Sequence, residues 1–187
     1  MKLILASKSP RRSEILKNAG FEFAVRAAEA DESVPYGMNP EDAVVIIAAR
    51  KAKAVERSED EIVLGADTVV VLDNKILGKP KSREDAYNMI KSLSGRVHSV
   101  FTGVCIMGNG KSMTFVEETK VEFLPLSDEE INEYIDTDEP YDKAGAYAIQ
   151  GYFGRFVKNY EGSLMNVIGF PWDEIEQALK DTGYEGV

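Results

Sequence analysis

Two long β-patterned runs, Val97–Met107 and Lys111–Phe123, meet across Gly108-Asn109-Gly110. An Asn-Gly turn between such runs is the mark of an antiparallel hairpin, because both central residues readily take positive φ. Elsewhere the chain follows a different rule. The strand-like runs Lys2–Ala6, Phe21–Val25 and Ile62–Leu72 are separated by helical patterns, the arrangement that builds parallel strands through crossovers. A chain that does both must form a mixed sheet, which predicts an α/β fold.

The punctuation supports these elements. Ser9-Pro10 reads as N-cap and first helical residue, with Ile15, Leu16 and Ala19 as the apolar stripe and Gly20 as the stop. Residues 27–38 are polar, with Pro and Gly, and read as a loop. Asn39-Pro40 opens a second helix, expected to run about five turns to about Ser58. Asp73-Asn74 is a turn, with a short return strand through Leu77. Ser82 caps a third helix ending near Ser94-Gly95, and Ser127 with Glu130 forms a capping box for a fourth. Residues 138–154 read as a structured loop, Arg155–Tyr160 as a strand and Pro171 as the start of the last helix. No repeat or linker divides the sequence, so residues 1–187 are read as a single domain.

Composition narrows the chemistry. One cysteine and one histidine exclude a disulfide framework and any Cys/His zinc site within one chain. The formal net charge of −10 argues against a nucleic-acid polymer as partner, since Lys and Arg supply most of that affinity. The longest apolar run, Ala43–Ala49, is far short of the roughly 20 residues of a membrane span. The apolar stretch at the N-terminus is too short for a signal peptide, so a cytoplasmic protein is expected. Charge is nonetheless unevenly placed. Acids crowd residues 128–142 without a basic residue, whereas residues 1–20 hold five basic residues and one acid. One end of the chain can attract an anion.

That end is Ala6-Ser7-Lys8-Ser9-Pro10-Arg11-Arg12, a strand-to-helix turn. Helix N-termini bind anions, and cations in the first turn are unfavourable by about 0.3–1 kcal/mol each. A bound polyphosphate removes the conflict for Arg11 and Arg12; otherwise the turn is a solvated basic helix start with an ordinary Ser cap. Asp67, in Gly65-Ala66-Asp67-Thr68, lies inside an apolar strand pattern, where a carboxylate needs a partner, a metal or a proton. It is a candidate general base or metal ligand, or a strand-end Asp bonded to nearby backbone. Gly65 suggests a bulge or a close backbone approach. Lys51 shares the inward stripe of Val44, Ile47, Ala48 and Val55, either snorkelling from its edge or aiming an ammonium into an anion cleft. Lys79 is held extended by Pro80, and Glu32 beside Asp31 is a loop carboxylate that is either solvated or metal-binding. Gln150 carries an amide able to read a base edge, and Tyr147 suits either a ring partner or the core. Gly162–Pro171 reads as a connector. His98 and Cys105 are a conceivable nucleophilic pair, although the apolar run around Cys105 favours an inert core thiol.

Taken together, these stretches resemble the Maf family of nucleoside triphosphate pyrophosphatases. The resemblance rests on Leu5–Arg12, Gly65–Val70, Leu77–Pro80, His98–Gly103, Asp138–Gly151 and Gly162–Pro171, in that order along nearly the whole chain. Asp142–Gly151 is similar to the subgroup acting on dTTP and UTP, while Leu164-Met165 departs from the aromatic residues many members carry after Gly-Ser. The resemblance implies an ITPase-like α/β fold on an elongated mixed β-sheet flanked by helices, with the active-site cleft between two lobes. It implies hydrolysis between the α- and β-phosphates, with a divalent cation, Mg²⁺ or Mn²⁺. By position it makes Asp67 the proton acceptor, links Arg12, Thr68 and Gln150 to substrate choice, and places Ser7, Arg11, Glu32, Lys51 and Lys79 around the phosphates and metal. Glu32 and Asp67 are the implied metal carboxylates, and Lys51 and Lys79 the catalytic cations. The expected partner is the nucleoside triphosphate itself, with neither nucleic acid nor membrane and with room for a homodimer. The alternatives are a modified nucleotide as substrate, or a non-catalytic nucleotide-sensing module linked to cell division.

Overall fold

The computed structural model describes residues 1–184 and residue 186. Its sheet has seven strands: β1 (Lys2–Leu5), β2 (Phe23–Val25), β3 (Glu61–Leu72), β4 (Lys75–Leu77), β5 (Val97–Gly108), β6 (Lys111–Phe123) and β7 (Val157–Glu161). The order is β2-β1-β3-β5-β6-β7, with β4 paired to β3. β1 runs parallel to β2 and β3, whereas β3 with β4 and β6 with β7 are antiparallel. The sheet is therefore mixed, as the crossovers and the hairpin require. Asn109 and Gly110 take φ of 50° and 69°, and Asp73 and Asn74 take 50° and 60°, so both turns twist with their strands. The helices are α1 (Pro10–Asn18), α2 (Pro40–Lys53), α3 (Arg83–Leu93), α4 (Asp128–Ile135), α5 (Leu164–Ile168) and α6 (Trp172–Asp181).

Local chemistry moves some boundaries. α2 ends at Lys53, short of the expected Ser58, with Ala54 as its C-cap. The Ser58 backbone N–H donates to the Glu61 carboxylate, and Glu61 N–H donates back to the Ser58 carbonyl. That turn feeds β3 and takes the preceding residues out of the helix. Phe21 lies outside β2; its N–H closes the end of α1 on the Leu16 carbonyl, and its ring packs on Trp172 and Tyr184. The segment read as a connector before Pro171 contains the short helix α5. Residues 138–154 carry 3-10 turns at Glu139–Asp142, Ala144–Ala146 and Tyr152–Phe156.

The chain divides into two compact units. The first comprises Met1–Asp67, Thr102–Glu117 and Gly169–Val187. Alternation along β1 sends Leu3 and Leu5 to one core with Leu16, Ile62, Leu64, Phe170 and Ile175, and Ile4 and Ala6 to another with Ala48, Ala52, Val63 and Cys105. The second comprises Thr68–Phe101 and Glu118–Ile168. Its core joins Ile90 and Leu93 of α3, Ile131 and Tyr134 of α4, and the rings of Phe123, Tyr147 and Phe153. The capping box of α4 is complete, with Ser127 and Glu130 each accepting the other's backbone N–H.

Within the first unit, α2 lies against β3 and β5 at two glycines. A Cβ at Gly65 would sit 2.4 Å from the Ala48 carbonyl oxygen, and one at Gly103 would sit 2.4 Å from the Val44 carbonyl carbon. Backbone cannot yield there as a flexible side chain would. Gly65→Ala is expected to destabilise the protein by about 1–3 kcal/mol, the usual range for overpacking. Chemical denaturation measures it, and an unchanged midpoint would show that α2 does not press on β3.

Candidate active site

The contact at Gly65 determines where Lys51 points. Gly65 and Asp67 are two residues apart on β3 and so face the same side of the strand. α2 covers that side through Ala48 and Ala52, which brings Lys51 over Asp67. The Lys51 Nζ donates to Asp67 Oδ1 at 2.6 Å and lies 2.8 Å from Glu32 Oε1. The Lys51 and Asp67 side chains are only 18% and 14% exposed, whereas Glu32 is 63% exposed. The ammonium is thus turned inward onto two carboxylates, not outward to solvent.

Glu32 reaches this point because its loop is tied to α2. Asp31 Oδ1 accepts the Ser33 N–H at 2.9 Å, forming an Asx turn. Arg50, the neighbour of Lys51, donates to the carbonyls of Asp31 and Ser33 at 3.1 and 2.5 Å. One cation of α2 therefore fixes the loop backbone and the next engages the loop carboxylate. Nothing in the sequence marked Arg50 for this task, because its acceptors are main-chain atoms.

The turn before α1 is organised around Arg12. Its guanidinium is buried and donates to the carbonyls of Gly169 at 2.9 Å and Ala66 at 2.8 Å, and to Ser7 Oγ at 3.1 Å. Ser7 Oγ also accepts the Ser9 N–H at 3.2 Å. Ser9 occupies the N-cap position, but its own hydroxyl caps nothing. Arg12 thereby ties the turn to Ala66, the residue before Asp67. Burial lowers the Arg12 pKa to about 10, opposed by Asp67 and Glu32 and reinforced by Arg11. All of these charges act on one guanidinium, so Ser7, Arg11, Arg12, Glu32, Lys51 and Asp67 share one neighbourhood of the first unit. The bond to Gly169 spans 157 residues and had no local signal in the sequence.

The remaining candidates belong to the second unit. Thr68 begins it, half-buried, while Lys79 and Gln150 are exposed. The Gly145 N–H donates to the carbonyl of Gly78, the residue before Lys79, at 3.0 Å. Tyr147 belongs to the core, with its ring against Phe123 and Phe153. His98 bonds Tyr147 through Nε2 at 2.8 Å, and Cys105 is buried among aliphatic side chains, where burial pushes its thiol pKa up. No nucleophilic Cys–His pair forms. Asn166, in the segment read as a connector, is fully buried and donates to the Val100 carbonyl and Thr119 Oγ1, both at 3.0 Å.

A mixed-sheet α/β protein with a cation-rich strand-to-helix turn beside paired carboxylates is of the class built to handle polyanionic ligands. The chain belongs to the Maf family: the family model described as Maf-like protein matches residues 2–182. Among curated relatives, a dTTP/UTP pyrophosphatase of Carboxydothermus hydrogenoformans is 46% identical over 187 residues, covering 98% of this chain and all of the relative. A dTTP/UTP pyrophosphatase of Geobacillus sp. is 50% identical over 184 residues, covering 97% of this chain and 98% of the relative. Among solved structures, the Ham1 protein of Staphylococcus aureus has the same fold at 13% identity, with a TM-score of 0.54 over 98% of this chain and 100% of that one.

Proposed function

We propose that this protein hydrolyses nucleoside triphosphates, dTTP and UTP foremost, between the α- and β-phosphates. The products are the nucleoside monophosphate and pyrophosphate. The observation that carries the reading is Lys51 set between Asp67 and Glu32, at 2.6 and 2.8 Å, beside the arginine-bearing start of α1. The full-length similarity to two proteins named dTTP/UTP pyrophosphatase supports the substrate pair.

In this reading a water oxygen attacks the α-phosphorus and its proton passes to Asp67. The bond from that phosphorus to the α–β bridging oxygen breaks, and pyrophosphate leaves with the electron pair. A carboxylate has several lone-pair sites, so Asp67 can take the proton on Oδ2 while Oδ1 stays on Lys51. Lys51, Arg11 and Lys79 offset the phosphate charge, and Ser7 and Arg12 hold the turn that faces it. Thr68 and Gln150 are assigned to base choice.

The donor set fits a divalent cation. Glu32 and Asp67 converge on a single point, the Lys51 Nζ, and both present hard oxygens. No group of three or more His, Cys, Asp or Glu side chains able to hold a metal occurs among the described residues. Two carboxylates suit Mg²⁺ or Mn²⁺ that completes its shell with water and substrate phosphates. Bound by Glu32 and Asp67, such an ion supplies Lewis-acid neutralisation of phosphate charge. No described helix is long and apolar enough to cross a membrane.

A panel of nucleoside triphosphates with Mg²⁺ or Mn²⁺, followed by chromatography of the products, tests the proposal. dTTP and UTP are expected to be the preferred substrates and to yield dTMP and UMP with pyrophosphate. Accumulation of dTDP and phosphate would contradict the assigned bond.

A further inference from the structure

His98 and Tyr147 form a polar pair inside the second unit's aromatic core, only 3% and 5% exposed. The His98 ring packs edge-on against Phe123 and Tyr147, at 4.6 and 5.3 Å between centroids. Its Nε2 is 2.8 Å from the Tyr147 hydroxyl, while its Nδ1 has no hydrogen-bond partner among the described residues. A buried polar atom left unpaired is destabilising, and replacing both partners with apolar groups of similar shape is often neutral or better. Packing alone therefore gives no reason for this pair. Burial holds the His98 pKa down to about 4, so the imidazole is neutral at ordinary pH and the bond is one between neutral groups.

The bond's place in the chain supplies the reason. The segment from Glu139 to Phe153 is anchored at its base, where the Glu139 carboxylate accepts the N–H groups of Tyr152 and Phe153 at 2.9 and 3.3 Å. On the way out it is held by Gly145 N–H on the Gly78 carbonyl and by the Tyr134 hydroxyl on the Ala146 carbonyl, both at 3.0 Å. Tyr147 is the next residue, three before the exposed Gln150. Its hydroxyl on His98 ties the segment to the core three residues before the Gln150 amide, next to Ala148, whose backbone hydrogen-bonds the Tyr134 hydroxyl.

We propose that the His98–Tyr147 hydrogen bond is a tether that fixes the 147–150 segment so that Gln150 meets the nucleobase. His98 and Tyr147 are then positioning residues for base choice and touch no substrate. This rests on the assignment of Gln150 to base reading.

The test compares kcat/KM for UTP with that for CTP, whose base edges differ at position 4 (carbonyl against amino) and at N3 (donor against acceptor), in Tyr147→Phe, His98→Leu, Gln150→Ala and Tyr147→Phe/Gln150→Ala. Thermal midpoints are recorded alongside. Gln150→Ala is expected to lower the UTP-over-CTP ratio by about fivefold, the discrimination one neutral hydrogen bond supports. Tyr147→Phe and His98→Leu should lower it to a similar extent; each leaves its partner's buried polar atom unpaired, so the midpoint should fall modestly while the protein stays folded. The double variant should lose no more than Gln150→Ala alone, since both changes remove one interaction. If Gln150→Ala lowers the ratio but Tyr147→Phe and His98→Leu leave it at the wild-type value, the tether is refuted and the role of Gln150 stands. If Gln150→Ala itself leaves the ratio unchanged, the base-reading assignment fails and the tether falls with it.

Discussion

Asp67→Asn is expected to lower dTTP turnover at least about 10²-fold, the lower end of what a general base contributes. The amide keeps the shape of the carboxylate and an oxygen for Lys51, so the contact now at 2.6 Å survives as a hydrogen bond. What is lost is the negative charge and the ability to take a proton from water. Lys51 keeps Glu32 as counter-ion at 2.8 Å, so the ammonium is not left unpaired and the fold should persist. Steady-state kinetics with a circular-dichroism melt separate the two effects. Near-normal turnover by a folded Asp67→Asn protein would remove Asp67 from the chemistry.

Lys51→Met should have a comparable effect for a different reason. The methionine keeps the apolar stem that α2 packs inward, but it leaves Asp67 and Glu32 converging without the ammonium between them. Like charges at such a point repel each other and a triphosphate alike. Removing one preorganised charge partner of a transition state typically costs about 10²–10³ in kcat. Arg11→Ala should weaken turnover in the same sense, and the double variant should lose less than the product of the two single losses, because both cations act on one ligand. Lys79→Ala, in the second unit, is expected to behave similarly. Lys17→Ala changes a cation in the last turn of α1 and should leave turnover within error of wild type. Unchanged binding and catalysis in Lys51→Met would sink the assignment.

The sequence was most legible where a property is local. The Asn109-Gly110 hairpin, the Ser127–Glu130 capping box and the Asn39 cap depend on residues a few positions apart, and each is present in the fold. Lys51 was legible in part: helical periodicity placed it on the inward stripe, but only the helix–strand contact at Gly65 shows that its ammonium turns to Asp67. Ser9 illustrates the limit of a local rule. Its type and position suit a cap, yet the Ser7 hydroxyl takes the Ser9 N–H and also accepts from the Arg12 guanidinium. Tyr147 and His98 were ambiguous because a ring in a glycine-rich segment looks the same whether it faces a ligand or a core; 49 residues separate the two partners. Arg12 on Gly169 and Asn166 on Val100 are longer-range still. Such bonds are set by tertiary packing, and no spacing within a helix or strand encodes them.

In the proposed reaction water attacks the α-phosphorus with Asp67 as its proton acceptor. Product identity alone leaves open which phosphorus is attacked, since either attack can break the α–β bridge. Hydrolysis of dTTP in water enriched in heavy oxygen, with mass spectrometry of both products, decides it. Attack on the α-phosphorus leaves one labelled oxygen in dTMP and unlabelled pyrophosphate, the expected result. Label in pyrophosphate with unlabelled dTMP would place the attack on the β-phosphorus and contradict it.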